Sequence, residues 1–204
     1  LINDDKLDVG YTLFTNLRIL LLENKNNEKI KEIKEYLASS MDTPPDILEK
    51  LAKDEYFSVR SKVAKNLNTT KEILEILAKD ESYFIRYEVA KNKNITKEIL
   101  EFLAKDESYL VRELVAANKN INLYILKNLM NDEDLYVKGQ LFLTLRILLL
   151  ENKNNKKIEE IKEYLASSID TPHDILELLT KDEDKFIKNF ANKSFDKFKK
   201  NNLI

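Results

Sequence analysis

The apolar residues of this chain fall into short stripes with helical spacing. In one segment the first stripe consists of Ile73, Leu74, Leu77 and Ala78, and the second consists of Ile85, Val89 and Ala90. Residues spaced in this way share one face of a helix, while many of the positions between them carry lysine or glutamate. The pattern predicts two short amphipathic helices, each with one buried face.

The same two-helix pattern recurs at a fixed short period, the interval from Asp54 to Asp80. The period is marked by aspartate at Asp54, Asp80, Asp106 and Asp132, by leucine at Leu51, Leu77, Leu103 and Leu129, and by asparagine at Asn66, Asn92 and Asn118. Two such short helices cannot bury their apolar stripes alone, whereas stacked neighbours can. We therefore expect an all-α fold, a right-handed α-solenoid of tandem helical-pair repeats of about 26 residues.

Residues near the ends of the predicted helices indicate how each helix begins and stops. Thr69 and Glu72 have the spacing of a capping box, and Pro44 suits the first helical position in the preceding repeat. We expect the carboxylate of Asp80 to cap the second helix. That helix ends in an Asn-x-Asn loop at Asn92, where we expect the left-handed backbone conformation that asparagine tolerates.

A longer repeat lies over the short one. The segment Leu17–Glu49 returns as Leu145–Glu177, and the two segments differ only at Glu28/Lys156, Lys31/Glu159, Met41/Ile169 and Pro45/His173. We call the offset from Leu17 to Leu145 the long interval. We expect one solenoid domain over 1–204, in which 129–204 duplicates part of the block 1–128. Its repeats are predicted near 42–67, 68–93, 94–119, 120–140 and 170–195.

The duplicated block also contains a leucine-rich segment that does not fit the short repeat. Apolar residues occupy almost every side of Leu141–Leu150, so we expect this helix to be buried, with its earlier counterpart Leu13–Leu22 less protected. The duplication can be followed back to Leu1, in the middle of a repeat. We therefore expect either sequence upstream of Leu1 or a self-association that covers the exposed edge.

Composition narrows the function classes. Charged residues make up 34% of the chain but nearly cancel to a net charge of −2, which disfavours a nucleic-acid binder with a basic surface. Without cysteine there is no thiol chemistry, and the reducing cytoplasm is the expected compartment. The longest apolar run, Leu141–Leu150, is too short to cross a membrane, which needs about 20 residues.

Few residues suit catalysis or metal binding. His173 is the single histidine, which favours a surface residue over a catalytic triad or a histidine-based metal cluster. The Asp-Glu pairs recur once per repeat and lack the glycine of a calcium loop, so a structural role is expected. Gly10 and Gly139 are too far apart for a phosphate-binding loop. We expect no enzyme activity, no cofactor and no metal.

One run of sequence resembles a known repeat family. Asp80 to Asn92 reads DESYFIRYEVAKN and is followed by Ile99-Leu100 and by Leu103 to Asp106. The run resembles the variant leucine-rich repeat, which belongs with the HEAT and armadillo-like α-solenoids. The resemblance covers about 28–135 and 157–195, although the loops carry Asn-x-Asn where the family usually has Asn-Pro. It implies a protein-binding scaffold, while some HEAT-like relatives are DNA glycosylases.

Two columns of side chains are candidates for partner binding. The cationic column consists of Arg60, Arg86 and Arg112, followed in register by Lys138. It could hold an anionic ligand, or each cation could pair with the recurring aspartate as a structural ladder. The aromatic column consists of Phe57, Tyr83 and Tyr109, with Phe84 and Tyr136 one place on and Tyr87 nearby. It could form a binding groove or pack between repeats.

These observations favour a non-enzymatic protein-interaction scaffold that binds an unknown protein or peptide on its concave face. Two alternatives remain open at this stage. One is a HEAT-like nucleic-acid-binding or DNA-glycosylase-like protein, and the other is a structural repeat that self-associates through the leucine-rich helix. The basic tail with Lys193, Lys197, Lys199 and Lys200 could contact acidic partners, although a solvated helix is the simpler interpretation.

Overall fold

The computed structural model describes residues 28–151 and 158–201, and apart from a 3-10 turn at Ile158 the regular elements in these ranges are α-helices. The helices are α1 (Glu28–Ser39), α2 (Pro45–Leu51), α3 (Phe57–Lys65), α4 (Lys71–Leu77), α5 (Tyr83–Lys91), α6 (Lys97–Leu103), α7 (Tyr109–Ala117), α8 (Leu123–Met130), α9 (Leu135–Glu151), α10 (Glu159–Ser167), α11 (His173–Leu179) and α12 (Lys185–Asn201). The predicted all-α fold class is confirmed. The predictions for Leu1 and for Leu13–Leu22 lie outside the described residues.

The helix boundaries follow the short period. The first helices α2, α4, α6 and α8 begin at Pro45, Lys71, Lys97 and Leu123, and the second helices α3, α5, α7 and α9 begin at Phe57, Tyr83, Tyr109 and Leu135. The second copy of the long duplication keeps the pattern, because α11 and α12 begin one long interval after α2 and α3. The helices α2 to α8 have only 7 to 9 residues and are too short to be stable alone, so packing between helices must hold them in place.

The chain divides into two compact units, with the boundary between Thr96 and Lys97. In the N-terminal unit the second helices pack in series, α1 on α3 and α3 on α5, while α2 and α4 each pack on the second helix that follows. In the C-terminal unit α7 packs on α9 and α6 packs on α8, and α10 contacts α8, α11 and α12.

The predicted inward faces are confirmed. Ile73, Leu74, Leu77 and Ala78 of the first stripe are buried, as are Ile85, Val89 and Ala90 of the second. Each fully buried large aliphatic side chain contributes roughly 1.5–3 kcal/mol relative to exposure. The same positions are filled in the later repeats, for example by Leu100 and Leu103, so one side-chain pattern builds the interior of both units.

The prediction that Leu141–Leu150 is buried on all sides is wrong in part. Leu141, Leu145, Leu148 and Leu149 are buried, but Leu143 is 49% exposed and Leu150 is 52% exposed. The helix α9 packs on α7, α8 and α11, which leaves one strip of its surface in solvent.

The capping predictions are also wrong, because the threonine and aspartate side chains bind elsewhere. The Thr69 hydroxyl donates to the carbonyl of Val63 at 2.6 Å, and α4 begins at Lys71 after Thr70, with no side-chain cap. Pro44 precedes α2, so that Pro45 takes the first helical position. Asp80 lies before α5 and accepts from the backbone N–H of Ser82 at 2.9 Å, and it therefore shapes the turn that leads into the helix.

The asparagine loops contain no left-handed backbone. Asn92 has φ −68° and ψ 134°, and no non-glycine residue in the described ranges has positive φ. Its side-chain amide instead donates to the carbonyls of Ala64 and Asn66 in the preceding repeat, at 2.7 and 3.1 Å. Its Oδ1 accepts from the N–H of Asn94. Asparagine recurs here because it links successive repeats through their backbones.

Candidate functional surfaces

The cationic column forms a ladder of ion pairs between repeats. In the N-terminal unit Arg60 donates from Nε and from a terminal nitrogen to the two carboxylate oxygens of Asp80, at 2.7 and 3.2 Å. It also donates to the backbone carbonyl of Asp54 at 2.9 Å. In the C-terminal unit Arg112 binds Asp132 in the same way, at 2.6 and 2.9 Å. Both pairs are bidentate, a geometry that fixes one helix against the next.

Burial of these pairs leaves the arginines little capacity for a ligand. The side chains of Arg60 and Arg112 are only 12% and 11% exposed. Burial, the largest single influence, would raise the pKa of Asp132, but the hydrogen bonds from Arg112 and from the backbone N–H of Asp134, together with the charge of Arg112, lower it overall. Arg86 is also buried and donates to the carbonyls of Asp80 and Glu81. The structural interpretation of the column therefore accounts for these contacts, and its use in partner binding stays a prediction.

Two lysines that the sequence analysis did not single out belong to the same ladder. Lys34 binds Asp54 and Lys162 binds Asp182, each at 2.8 Å with both partners almost fully buried. Lys34 lies one short period before Arg60, and Lys162 lies one long interval after Lys34. The register was therefore sufficient to find them. Lys138, the predicted fourth member, is half-buried, and its charge helps to lower the pKa of Asp132.

The structure brings three of the predicted aromatic residues together in the N-terminal unit. The Phe57 and Phe84 rings meet edge to face with centroids 6.3 Å apart, and Tyr83 stacks on Phe84 at 4.2 Å. Phe57 is 46% exposed and Phe84 is 54% exposed, so the rings are not buried between repeats. We refer to Phe57, Tyr83 and Phe84 as the aromatic cluster. Tyr87, one turn further along α5, is half-buried, and Lys91 Nζ lies 5.4 Å from the centre of its ring.

The two remaining aromatic candidates form a pair in the C-terminal unit. The rings of Tyr109 and Tyr136 lie 6.4 Å apart, and these residues are 42% and 72% exposed. Tyr109 and Tyr136 occupy the registers of Phe57 and Phe84, and both rings remain partly exposed to solvent. Edge-to-face and tilted ring pairs of this kind add about 0.5–1.5 kcal/mol beyond the buried area.

An apolar groove that the sequence did not predict lies between α10 and α12 in the C-terminal unit. It has a volume of about 350 Å³ and is lined by Tyr164, Ala166, Phe186 and Phe190, with Glu160 and Glu163 among its edges. The rings of Phe186 and Phe190 lie 4.6 Å apart and are exposed by 59% and 37%. The signal was available in the sequence, since Phe186 falls in the register of Phe84 and Tyr136.

The other candidate chemistries have simple structural settings. The ring of His173 lies 4.4 Å from that of Phe195, and Lys199 lies over the Phe195 ring. Among the residues that the structure describes, no group of three or more histidine or acidic side chains is arranged to hold a metal ion. Within the same ranges, no helix combines the length and the apolar content needed to cross a bilayer.

Comparison with known proteins adds no relative. No protein family, curated protein or solved structure matches this chain. The resemblance to the variant leucine-rich repeat therefore stays a hypothesis, which stands on the repeated residues alone.

Proposed function

We propose that this chain is a non-enzymatic protein-interaction scaffold: an α-solenoid of the variant leucine-rich-repeat kind, in which the aromatic cluster contacts a protein or peptide partner. The observation that carries the proposal is the exposure of Phe57 on α3 and of Phe84 on α5, while Arg60 and Arg86 of the same helices are held by contacts within the protein. Large aromatic rings at the centre of a surface patch are typical anchors of protein interfaces.

The repeats themselves show that the framework does not require aromatic residues at these positions. Lysine occupies the register of Phe57 at Lys31 and Lys185, and serine occupies the register of Phe84 at Ser58. Phenylalanine at these positions adds exposed apolar surface that the packing of the helices does not require. A contact with a partner would bury it, at about 25 cal/mol for each Å² of apolar surface removed from water.

Affinity capture of partner proteins, with the wild type and with a variant that lacks the two phenylalanines, tests the proposal. The variant F57K/F84S replaces each phenylalanine with the residue found at the same register in another repeat, so it should fold normally. We expect at least one protein captured by the wild type to be lost from this variant. Tyr36→Ser is the matched control, because Tyr36 is 73% exposed in the same unit but stacks on no other aromatic ring among the described residues.

The alternatives give different outcomes in the same set of measurements. Identical capture by the wild type and F57K/F84S would overturn the proposal. Submicromolar binding to a fluorescent DNA duplex at physiological salt would favour the nucleic-acid alternative, because specific DNA-binding proteins typically reach such affinities. A concentration-dependent increase in mass without any captured protein would favour a self-associating structural repeat.

A further inference from the structure

The groove between α10 and α12 has an internal counterpart in the other copy of the long duplication. Glu35 and Tyr36 on α1 correspond to Glu163 and Tyr164 on α10, one long interval later. The helices that pack against them are α3 and α12, which begin at equivalent positions. The α1–α3 and α10–α12 pairs therefore correspond and can be compared residue by residue, although the groove is also lined by Leu123 of α8.

In the first copy the glutamate is fully engaged by α3. Ser58 donates to Glu35 Oε1 at 2.5 Å, and Lys62 Nζ lies 3.3 Å from Oε2. The hydrogen bond from Ser58 lowers the pKa of Glu35, and Lys62 adds to the effect. This first site is polar, and its carboxylate already has a hydroxyl and a cation as partners.

In the second copy both of these partners have been replaced by phenylalanine. Phe186 takes the place of Ser58 and Phe190 takes the place of Lys62. Glu163 is exposed, and its carboxylate forms no hydrogen bond or ion pair with the other described residues. The replacement thus removes a cation and a hydroxyl from a carboxylate and places two neighbouring rings beside it.

We propose that this groove binds a basic, amphipathic peptide segment of a partner protein. Its apolar side chain would pack against Phe186 and Phe190, and its lysine or arginine would take the place at Glu163 that Lys62 takes at Glu35. The inference rests on the proposed scaffold function but concerns a different surface in a different unit. The partner's cation would replace the positive charge of Lys62, which the second copy lacks, and its apolar side chain would cover the rings of Phe186 and Phe190.

The size of the groove suits a small apolar anchor and not a large ligand. A groove of about 350 Å³ is at the lower end of the range of ligand pockets and suits one or two apolar side chains. Helical peptides that lie in such grooves present apolar anchors at i, i+3, i+4 and i+7. Glu160 adds a second carboxylate at the groove, while Lys127 Nζ lies 5.2 Å from the centre of the Tyr164 ring and Lys193 Nζ lies 5.7 Å from that of Phe190. The preference for a cationic residue therefore rests on Glu163, whose carboxylate has no partner among the described residues.

Fluorescence polarisation with a designed peptide tests the proposal. The probe is a labelled amphipathic helical peptide with leucine at i, i+3, i+4 and i+7 and lysine on its polar face, and the comparison peptide has glutamate in place of lysine. We expect the full chain to bind the lysine peptide and not the glutamate peptide. Phe186→Ser with Phe190→Lys should weaken binding by at least about tenfold, since one tenfold step is about 1.4 kcal/mol.

Matched variants distinguish binding in this groove from nonspecific electrostatic attraction between the peptide and the protein. F186S/F190S removes the rings without adding charge and should also weaken binding at least about tenfold, while Glu163→Gln should weaken it by about three- to tenfold. Glu35→Gln removes the equivalent carboxylate of the first copy and should leave the affinity unchanged. All of the groove variants should melt as the wild type does, because Ser58 and Lys62 already occupy the same framework in the first copy.

Several outcomes would overturn the proposal. It fails if the wild type does not bind the lysine peptide, or if Glu35→Gln weakens binding as much as Glu163→Gln does. Dimerisation of the wild type that F186S/F190K abolishes would assign the groove to a second copy of the chain. Loss of peptide binding in F57K/F84S would place the peptide at the aromatic cluster instead. Retained binding in that variant, with no partner dependent on the cluster, would contradict only the proposed function above.

Discussion

The two copies of the long duplication keep the same contacts between helices but differ in the surface that they present. The pairs Lys34–Asp54 and Lys162–Asp182 have the same length, 2.8 Å. Asn66 donates to the carbonyl of Ala38, and Ser194, at the equivalent position, donates to that of Ala166. The comparison teaches that buried ion pairs and side-chain bonds to the backbone define this framework, whereas solvent-facing positions on the second helices are free to acquire new roles.

One framework contact does differ between the copies. The Thr43 hydroxyl is buried and donates to the carbonyl of Leu37 at 2.7 Å. The equivalent hydroxyl of Thr171 is also buried but has no hydrogen-bond partner among the described residues. A buried polar group without a partner costs about 1–3 kcal/mol, so the second copy carries a local defect that the first does not.

The largest expected effect tests whether the two ion pairs are equivalent. Lys34→Ala and Lys162→Ala each leave a buried aspartate without its cation, and we expect each to destabilise by about 3–5 kcal/mol. Urea unfolding provides the measurement. A large loss in one variant and almost none in the other would show that the ladder is not shared by the copies.

A second pair of substitutions tests the apolar interior. Leu51 and Leu179 occupy the same register and are exposed by only 2% and 1%. Leu51→Ala and Leu179→Ala should each cost about 2–5 kcal/mol through lost burial and the cavity that remains. Losses below about 1 kcal/mol for both would mean that the assigned repeat register is wrong.

The unpaired threonine should reverse the ordinary effect of removing a hydroxyl. Thr43→Val breaks a buried hydrogen bond and should destabilise by about 1 kcal/mol. Thr171→Val removes a hydroxyl that has no partner among the described residues and should be neutral or stabilising. Thermal or urea melts of the two variants, compared in parallel, give the answer. Equal destabilisation by both would contradict the difference that we describe between the copies.

The smallest effect concerns the pH dependence of the first site. Because the pKa of Glu35 is lowered in the folded protein, its contribution to stability is present above the unfolded glutamate pKa of about 4.3 and is lost as pH falls through the folded pKa. The variant S58F/K62F removes both partners of Glu35. Its stability should therefore fall below that of the wild type near neutral pH and approach it in acid. A gap that widens in acid would contradict this assignment.

The sequence predicted the helices and their buried faces well because a helical stripe depends on local spacing. The predictions at the helix ends were wrong. Thr69 and Asp80 were expected to cap helices and Asn92 to adopt a left-handed conformation, but each side chain instead bonds to another backbone group. Sequence spacing does not reveal such a bond. The fixed period could have revealed it, because a polar residue that returns once per repeat has the same neighbours each time.

The candidate surfaces show a similar division. The aromatic cluster was predictable because Phe57 and Tyr83 share a register, Phe84 is the next residue after Tyr83, and all three side chains are large and aromatic. The groove at Phe186 and Phe190 could not be predicted from the near-identical segment, because both phenylalanines lie beyond Glu177, where the two copies diverge. The groove differs from the first copy at Phe186 and Phe190, which lie next to the shared glutamate, Glu163. Only the packing of α12 on α10 shows that these residues are neighbours.

The two copies share one framework, and we propose that only the second presents a binding surface for a basic peptide. The most direct measurement is a titration of the lysine peptide into the isotope-labelled full chain, with amide shifts followed by NMR. We predict shifts at 160–167 and 186–191 and none at the equivalent positions 32–39 and 58–63, which serve as an internal control in the same sample. Equal shifts in both copies, or shifts in neither, would contradict the account.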